Sequence, residues 1–253
     1  MGEQNRHKLN HLQQILPEGL PVEAAWLERH GYSRSLRSKY VAHGWLERMD
    51  RPIYRRPRAR ITNTRGHQPI SWADLVTSLQ LLLGYPVIIG GRSALELQGF
   101  AHYLAPSGPR EIHLYSDQAL PAWLSHLHLA VPLILHNTRR LFTHQLVLPL
   151  PQDLIESSAL DAIADIPSEG LVPLRWEGSP WAMIGSSPER AILELLDMLP
   201  AKESFHQVDV LMDGLRTLSP KRMQSLLVDC RSVKVKRLFF WFADRHSHAW
   251  LSK

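Results

Sequence analysis

The sequence is poor in cysteine and has no long apolar run, and each of these absences excludes a class of protein. A single cysteine, Cys230, cannot form an intrachain disulfide or a cysteine-based zinc site. No apolar stretch approaches the roughly 20 residues that span a bilayer. The polar beginning of the chain also lacks the apolar core of a signal peptide. We therefore expect a soluble, cytoplasmic protein that does not bind membranes.

Positive charge is concentrated in the first part of the chain. The net charge of the 253 residues is +5, but residues 1–68 carry 13 Lys and Arg against 6 Asp and Glu, a net charge of +7. The remaining residues are near neutral. A small basic segment joined to a larger body is typical of a nucleic-acid-binding module attached to a second domain. A solvated basic face without a partner is the alternative.

Three helical patterns and a hairpin follow one another within the first 60 residues. Apolar spacing predicts helices in "HKLNHLQQIL", in "LPVEAAWLERHG" with Pro21 at its start, and in "SRSLRSKYVAHG" with Ser33 as N-cap. "WLERMDRPIYRRPR" predicts two short strands around a tight turn. This order predicts a winged helix-turn-helix DNA-binding domain over residues 1–60, a polar linker over 61–70 and a larger domain over 71–253.

The third of these helices combines short hydroxyls with cations. Leu36, Tyr40 and Val41 form its apolar stripe, so its other side chains are expected to face outward, as in a recognition helix that meets bases and phosphates. The hairpin adds arginines that would hold the DNA backbone. Winged helices also serve as protein-interaction modules, which is the alternative. The candidate DNA-binding residues are Ser33, Arg34, Ser35, Arg37, Ser38, Lys39, Arg48, Arg51, Arg55, Arg56 and Arg58.

In the larger domain, strands are predicted early and helices late. The candidate strands are "VIIGG", "REIHLYSD", "LHLAVPLILH" and "HQLVLPL", and beyond residue 150 the patterns are mostly helical. The whole chain is therefore predicted to be of the α+β class. Its larger domain is a mixed α/β unit that becomes helical toward the C-terminus.

The turn at Gly90 and Gly91, between a buried strand and a helix, resembles the phosphate-binding turn of nucleotidyltransferases of the DNA polymerase β type. Such enzymes also need two carboxylates one residue apart on the next strand to hold Mg²⁺. Here that strand offers Glu111 and His113. We therefore expect a degenerate nucleotidyltransferase fold without catalysis, metal or cofactor, and with a vestigial nucleotide site at Gly90, Gly91, Ser93 and Glu111. The alternative is an active nucleotidyltransferase that acts on RNA or protein through Gly90, Gly91 and Glu111.

Two further features near the C-terminus have structural explanations. His246 and His248 lack a third ligand at a metal-binding spacing, which favours a solvated helix end. The segment "KVKRLFFWF" joins cations to aromatic residues. It is either a second nucleic-acid surface or, as the default, core packing with Lys234, Lys236 and Arg237 at its edge.

Motifs along nearly the whole chain resemble one family. "HGYSRSLRSKYVAHGWLE", "GGRSALELQGFAHYL", "SSPERAILELLD" and "LLVDCRSVKVKRLFFWFADRHSHAWL" are similar to the AbiEi family, the antitoxin and transcriptional-regulator components of type IV toxin–antitoxin (abortive infection) systems. The resemblance implies a phage-defence protein that represses its own operon by binding repeats in its promoter DNA. It also implies a second domain that counteracts a nucleotidyltransferase-like toxin without a stable complex. A module that binds the toxin directly is the remaining alternative.

Overall fold

The N-terminal part of the chain contains three helices and three short strands. The structure is a computed structural model that describes residues 3–50, 52–58, 69–100, 108–148, 170–177 and 179–252. The N-terminal elements are α1 (Glu3–Ile15), β1 (Pro21–Glu23), α2 (Ala24–Arg29), α3 (Arg34–Ala42), β2 (Glu47–Asp50) and β3 (Ile53–Arg55). The three predicted helices and the hairpin are therefore present.

One N-terminal element differs from the prediction. Pro21–Glu23 forms strand β1 rather than the first turn of a helix, and α2 begins after it. The strand pairs antiparallel with β3, which gives a three-stranded sheet in the order β1-β3-β2. Val22 is fully buried in this sheet. Proline is tolerated here because it is the first residue of an edge strand, where its missing N–H leaves no ladder bond unmade.

The larger part consists of a five-stranded sheet and six α-helices within the described residues. Its elements in chain order are α4 (Trp72–Leu81), β4 (Val87–Ile89), α5 (Gly91–Leu97), β5 (Ile112–Ser116), a 3₁₀ turn (Ala122–His126), β6 (Leu133–Asn137), β7 (Leu171–Leu174), β8 (Met183–Ser186), α6 (Pro188–Asp197), α7 (Phe205–Gly214), α8 (Pro220–Asp229), α9 (Val233–His246) and a second 3₁₀ turn (Ala249–Ser252). No described helix is long and apolar enough to cross a membrane.

The sheet of the larger part has the strand order β6-β5-β4-β8-β7. Neighbours β4 and β8 run parallel, as do β5 and β6, and the other pairs are antiparallel. Two of its strands, β7 and β8, were not predicted. The candidate strand "HQLVLPL" is wrong over residues 144–148, which form no strand, and its last two residues lie outside the described ranges.

Helix α4 connects the larger sheet to the N-terminal part. Leu75, Val76 and Leu79 are fully buried. The Gln80 side chain donates to the carbonyls of Val87 and Ile184, both at 2.8 Å, and so joins β4 to β8. On the other side, the Ser78 hydroxyl donates to the Pro21 carbonyl of β1. The two parts are thus in direct contact through one buried helix.

Candidate functional site

The exposed face of α3 carries two cations and several hydroxyls. Arg34 and Ser38 lie four residues apart, as do Ser35 and Lys39, so all four side chains share one side of the helix. All four residues are exposed. Ser33 begins the helix, and its Oγ accepts the Leu36 N–H at 3.4 Å. Within the described residues, the Arg34 and Lys39 side chains make no hydrogen bond or ion pair.

Arg37, predicted to face the DNA, is buried instead. Its guanidinium donates to the Tyr32 carbonyl at 2.8 Å and to Glu28 Oε1 at 2.7 Å, and it lies over the Tyr54 ring at 5.7 Å. Only 4% of the residue is exposed. Arg37 therefore fixes the angle between α2 and α3 and supports the hairpin. The outward orientation expected from the apolar stripe is wrong for this residue, because its long side chain reaches inward to backbone carbonyls.

Two arginines of the hairpin strand are also engaged inside the fold. Arg55 is 6% exposed and donates to Glu47 Oε2 of the paired strand at 2.9 Å. Arg56 donates to the Leu16 carbonyl at 2.8 Å and to Glu18 at 3.2 Å, which satisfies the end of α1. Cations at a helix C-terminus are favourable because they meet its unpaired carbonyls. These contacts give both arginines structural roles.

The remaining candidates of the hairpin differ from one another. Arg48 is exposed, and its side chain has no hydrogen-bond or ion-pair partner in the part of the chain that the structure describes. Arg58 donates to Asp74 Oδ1 of α4 at 2.6 Å. Arg48 and Arg58 line a cleft of about 450 Å³ beside the end of α3. Arg51 lies outside the described residues.

The Gly90-Gly91 turn is occupied by a carboxylate of the chain itself. The Gly91 N–H donates to Glu194 Oε2 at 2.9 Å, and the same carboxylate accepts the Ser186 hydroxyl at 2.7 Å and Arg190 Nε at 2.8 Å. Burial raises the pKa of Glu194, while Arg190 and these hydrogen bonds oppose the rise. Gly91 has φ +52°, and a side chain on Gly90 would collide with Glu194 and Tyr115. The glycines therefore accommodate Glu194 and Tyr115, and the amide available for a phosphate is taken.

The other residues of the expected nucleotide site, Ser93 and Glu111, are hydrogen-bonded to a histidine of β5, which in turn bonds a histidine of β6. Ser93 Oγ accepts the His113 N–H at 2.9 Å. Glu111 Oε1 lies 3.0 Å from His113 Nε2, and His113 Nδ1 lies 2.8 Å from His136 Nε2. The described residues include no group of three or more His, Cys, Asp and Glu that could hold a metal ion. Ser93 and Glu111 thus both contact His113, a histidine where a second carboxylate would be needed to hold a metal ion.

Sequence reasoning missed the residues that complete this cluster. Glu194 lies in a helix some hundred residues from the glycines, and His136 lies on an edge strand. No local motif connects either of them to the turn. The signal available in the sequence was Glu194, four residues after Arg190 in an otherwise apolar helical pattern. A carboxylate that such a helix buries is almost always paired.

Two histidines and the cysteine near the C-terminus have internal surroundings. His246 Nε2 lies 2.8 Å from Asp209 Oδ1, and His248 Nε2 lies 2.7 Å from the Met212 carbonyl. Cys230 is 2% exposed, within the core. These contacts give all three residues packing roles. In the segment "KVKRLFFWF", Phe239 and Phe242 are buried, as core packing predicts, whereas Phe240 and Trp241 are exposed.

Together these observations define the class: a mixed α/β protein that has a small N-terminal domain with a free cationic helix face, joined to a larger domain. Sequence comparison is specific about the family. Residues 110–253 match the family described as "Transcriptional regulator, AbiEi antitoxin, Type IV TA system", and residues 5–106 match its N-terminal domain. The chain belongs to this AbiEi family of antitoxins that are transcriptional regulators.

A solved structure supports the fold. The crystal structure of the RV2827C protein from Mycobacterium tuberculosis is similar with a TM-score of 0.51 and 14% identity, covering 98% of this chain and 78% of that chain. At this identity the likeness concerns the fold alone. A comparison with curated proteins finds no match.

Proposed function

We propose that the protein binds double-stranded DNA of its own promoter through a winged helix formed by residues 1–60 and thereby represses its operon. The proposal rests on one observation: some cations of the N-terminal part are free, whereas others are bonded within the fold. Arg34, Lys39 and Arg48 are exposed and without partners in the described residues, whereas Arg37 and Arg56 are held by carbonyls and carboxylates. Free cations and hydroxyls on one exposed helix face, with a further cation on the neighbouring hairpin, are the groups that contact phosphates and base edges.

The helix order and sheet support this proposal. Elements α1-β1-α2-α3-β2-β3 with the strand order β1-β3-β2 follow the order expected of a winged helix, in which α3 would be the recognition helix and the β2–β3 hairpin the wing. Ser35 and Ser38 would donate to phosphates or bases from the same face. Arg48 would follow the neighbouring backbone.

The test is a binding experiment with the full chain and its upstream promoter DNA. The Arg34→Ala/Lys39→Ala variant should bind at least roughly 30-fold more weakly, because each lost contact to a base or phosphate is worth about 1–3 kcal/mol. The dependence of log affinity on log salt should also become flatter by about one unit for each phosphate contact removed. Electrophoretic shift and fluorescence anisotropy measure both quantities.

Arg29→Ala is the matched control, because Arg29 is exposed on α2 outside the proposed face. It should bind the promoter as the unaltered protein does. Arg37 is unsuitable for this experiment since its removal disturbs the fold. Unchanged promoter binding by the Arg34→Ala/Lys39→Ala variant would refute the assignment of the surface.

For the larger domain, residues 71–253, we infer an antitoxin role without catalysis. It would counteract a nucleotidyltransferase-like toxin without a stable complex. The support for the absence of catalysis is the Glu194 carboxylate, which holds the Gly91 N–H, together with Glu111 bonded to His113 rather than paired with a second acid. A buried carboxylate at the turn repels a phosphate that would compete for the same amide.

This inference predicts that no label passes from radioactive nucleoside triphosphates to RNA or protein in the presence of Mg²⁺ or Mn²⁺. The full chain is incubated with each triphosphate, total RNA and total protein, and the products are separated by electrophoresis. Transfer that disappears in Glu111→Ala would contradict the inference and favour an active nucleotidyltransferase.

A further inference from the structure

The solvent face of α9 combines two exposed aromatic rings with cations. Phe240 is 51% exposed and Trp241 is 54% exposed, at consecutive positions of the helix. Arg237 and Arg245 lie four residues before and after Trp241, so they share its side of the helix, and Lys236 lies four residues before Phe240. We call these five residues, Lys236, Arg237, Phe240, Trp241 and Arg245, the α9 stripe.

The fold does not need the rings of this stripe. The inward face of α9 is supplied by Val235, Phe239 and Phe242, all of them buried. Large exposed aromatic side chains are uncommon outside binding sites because they leave apolar area in water. In the described part of the chain, Phe205 is the one other aromatic side chain among the large exposed apolar residues.

The cations of α9 divide into engaged and free groups. Lys234 donates to the Asp197 carbonyl at 2.6 Å and to the Leu199 carbonyl at 3.0 Å, so its role is structural. Arg245 bonds Asp209 at 3.0 Å and lies 5.9 Å from the centre of the Trp241 ring. Lys236 and Arg237 make no hydrogen bond or ion pair with any described residue. Free positive charge, from Arg237 and the half-exposed Lys236, therefore lies beside both rings, together with one exposed carboxylate, Asp244, four residues after Phe240.

A groove continues the stripe on the side of Phe240. It has a volume of about 580 Å³, within the range of ligand sites, and lies between α8, α9 and the last 3₁₀ turn. Met223, Leu227 and Trp250 are buried beneath it, and Lys221 and Gln224 stand exposed at its side. The groove lining includes no acidic residue.

We propose that the α9 stripe binds single-stranded RNA, with bases stacked on Trp241 and Phe240 and phosphates held by Lys236, Arg237 and Lys221. Flat rings flanked by unpaired cations are the arrangement that proteins use for unpaired nucleotides, because every base has a face that stacks and every linkage carries a charge. A protein helix in the groove would meet the same rings but would leave the free cations without partners. This surface is separate from α3, so it goes beyond the proposed promoter binding.

The length of the α9 stripe determines how many nucleotides the RNA probe needs. Residues 237 and 245 are separated by about 12 Å at 1.5 Å per residue, which corresponds to roughly three to four stacked nucleotides. A labelled 12-nucleotide RNA without self-complementarity is therefore long enough. Its affinity for the full chain is measured by fluorescence anisotropy at several salt concentrations. Parallel arms use DNA of the same sequence and the promoter duplex.

Trp241→Ala should weaken RNA binding about tenfold to a hundredfold, since stacking on one aromatic ring is worth about that much. Trp241→Phe, which keeps a ring, should recover most of this loss. Arg237→Glu should weaken binding about tenfold and make it less sensitive to salt. Arg216→Glu is the matched control, because Arg216 is exposed and bonds only Asp213, through a 3.5 Å ion pair and a 3.3 Å hydrogen bond from Nε to the Asp213 carbonyl. It should bind as the unaltered protein does.

The promoter arm separates this proposal from the proposed function. Trp241→Ala should leave the duplex affinity unchanged, and Arg34→Ala/Lys39→Ala should leave the RNA affinity unchanged. The proposal is overturned if the unaltered protein binds no RNA, which would leave a protein as the partner of the stripe. Equal affinity for the DNA single strand would overturn the assignment to RNA. RNA binding that survives both Trp241→Ala and Arg237→Glu would overturn the site.

Discussion

His136 is a histidine that the folded protein holds in its neutral form. Burial lowers its pKa from 6.5 to about 4, and the charges of His113 and Lys202 act in the same direction, while Glu111 opposes them. Since Glu111 accepts from His113 Nε2, the other nitrogen of His113 is left to accept the His136 Nε2–H. Protonation of His136 would therefore place a positive charge in a partly desolvated, hydrogen-bonded chain.

The pH dependence of stability follows from this pKa. Between pH 6.5 and pH 4, His136 binds a proton in the unfolded chain but stays neutral in the folded protein. Acidification therefore favours unfolding. We expect this residue to account for about 1–2 kcal/mol of the stability lost between pH 7 and pH 5, after allowance for partial solvent screening. In His136→Gln, which keeps a donor to His113, that part of the loss should disappear in urea unfolding.

His128→Gln serves as the comparison, because His128 is an exposed histidine of the same domain. Its urea unfolding should show the same pH dependence as the unaltered protein. If His136→Gln and His128→Gln lose equal stability between pH 7 and pH 5, the neutral state of His136 is not the cause.

At the scale of the element, the start of α3 depends on one hydroxyl. Ser33 Oγ accepts the Leu36 N–H and also lies 3.1 Å from Ser35 Oγ. Ser33→Ala should lower the free energy of unfolding by about 0.5–1 kcal/mol, since it removes the N-cap. It should also weaken promoter binding several-fold, because Arg34 and Ser35 lie in the first turn that this cap holds. Ser33→Asn, which retains a capping oxygen, should restore both.

Ser204→Ala distinguishes capping from DNA contact. Ser204 caps α7 by accepting the Gln207 N–H at 3.1 Å, in the larger domain. Its replacement should lower stability by a similar amount and leave promoter binding unchanged. Urea unfolding and anisotropy on the same preparations measure both effects. Equal losses of DNA affinity in Ser33→Ala and Ser204→Ala would mean that the effect arises from general instability.

The helices were predictable to the extent that their signals are local. Ser33 is predicted as an N-cap from the sequence and accepts a backbone N–H at the start of α3, as Ser71, Ser187 and Ser219 do at the starts of α4, α6 and α8. The strands β1 and β8 were missed. Each has a partner that is distant in the chain, since β1 pairs with β3 and β8 lies beside β4, although β8 also pairs with its neighbour β7. A short apolar run carries no information about such a partner.

For the candidate interface, the positions of the cations were predictable, but their contacts were not. The sequence placed cations on α3 and the hairpin, but the distinction between free and engaged side chains needed the structure. Arg34 and Arg37 differ by three positions and are chemically identical, yet only Arg37 has the Tyr32 carbonyl within 2.8 Å. Helical spacing gives the direction of a side chain at its Cβ atom, not the point that a long guanidinium reaches.

At the scale of the whole molecule, the two domains are joined by the apolar packing of Ile53 against the larger core and by a few polar contacts around α4. Asp74 is 3% exposed and pairs with Arg58, while Trp123 Nε1 donates to Glu23 Oε2 at 3.0 Å. Burial raises the pKa of Asp74, and Arg58 opposes this rise. The ion pair therefore makes it possible for a carboxylate to be buried where the domains meet. Loss of this ion pair should loosen the orientation of the N-terminal domain relative to the larger domain.

Arg58→Gln should lower the free energy of unfolding by about 2–3 kcal/mol at neutral pH, because it leaves the Asp74 carboxylate buried without a cation. The loss should be smaller at pH 5, since a carboxyl with a raised pKa binds a proton more readily in the folded state and acid then favours folding. Arg58→Gln/Asp74→Asn should recover most of the stability, because both charges are removed together. Urea unfolding of Arg58→Gln, Asp74→Asn and the double variant completes the cycle. Promoter binding of the double variant decides between two roles for Arg58. If Arg58 acts only by linking the two domains, the double variant should bind the promoter as the unaltered protein does. A tenfold or greater loss of promoter affinity would instead indicate that Arg58 contacts the DNA.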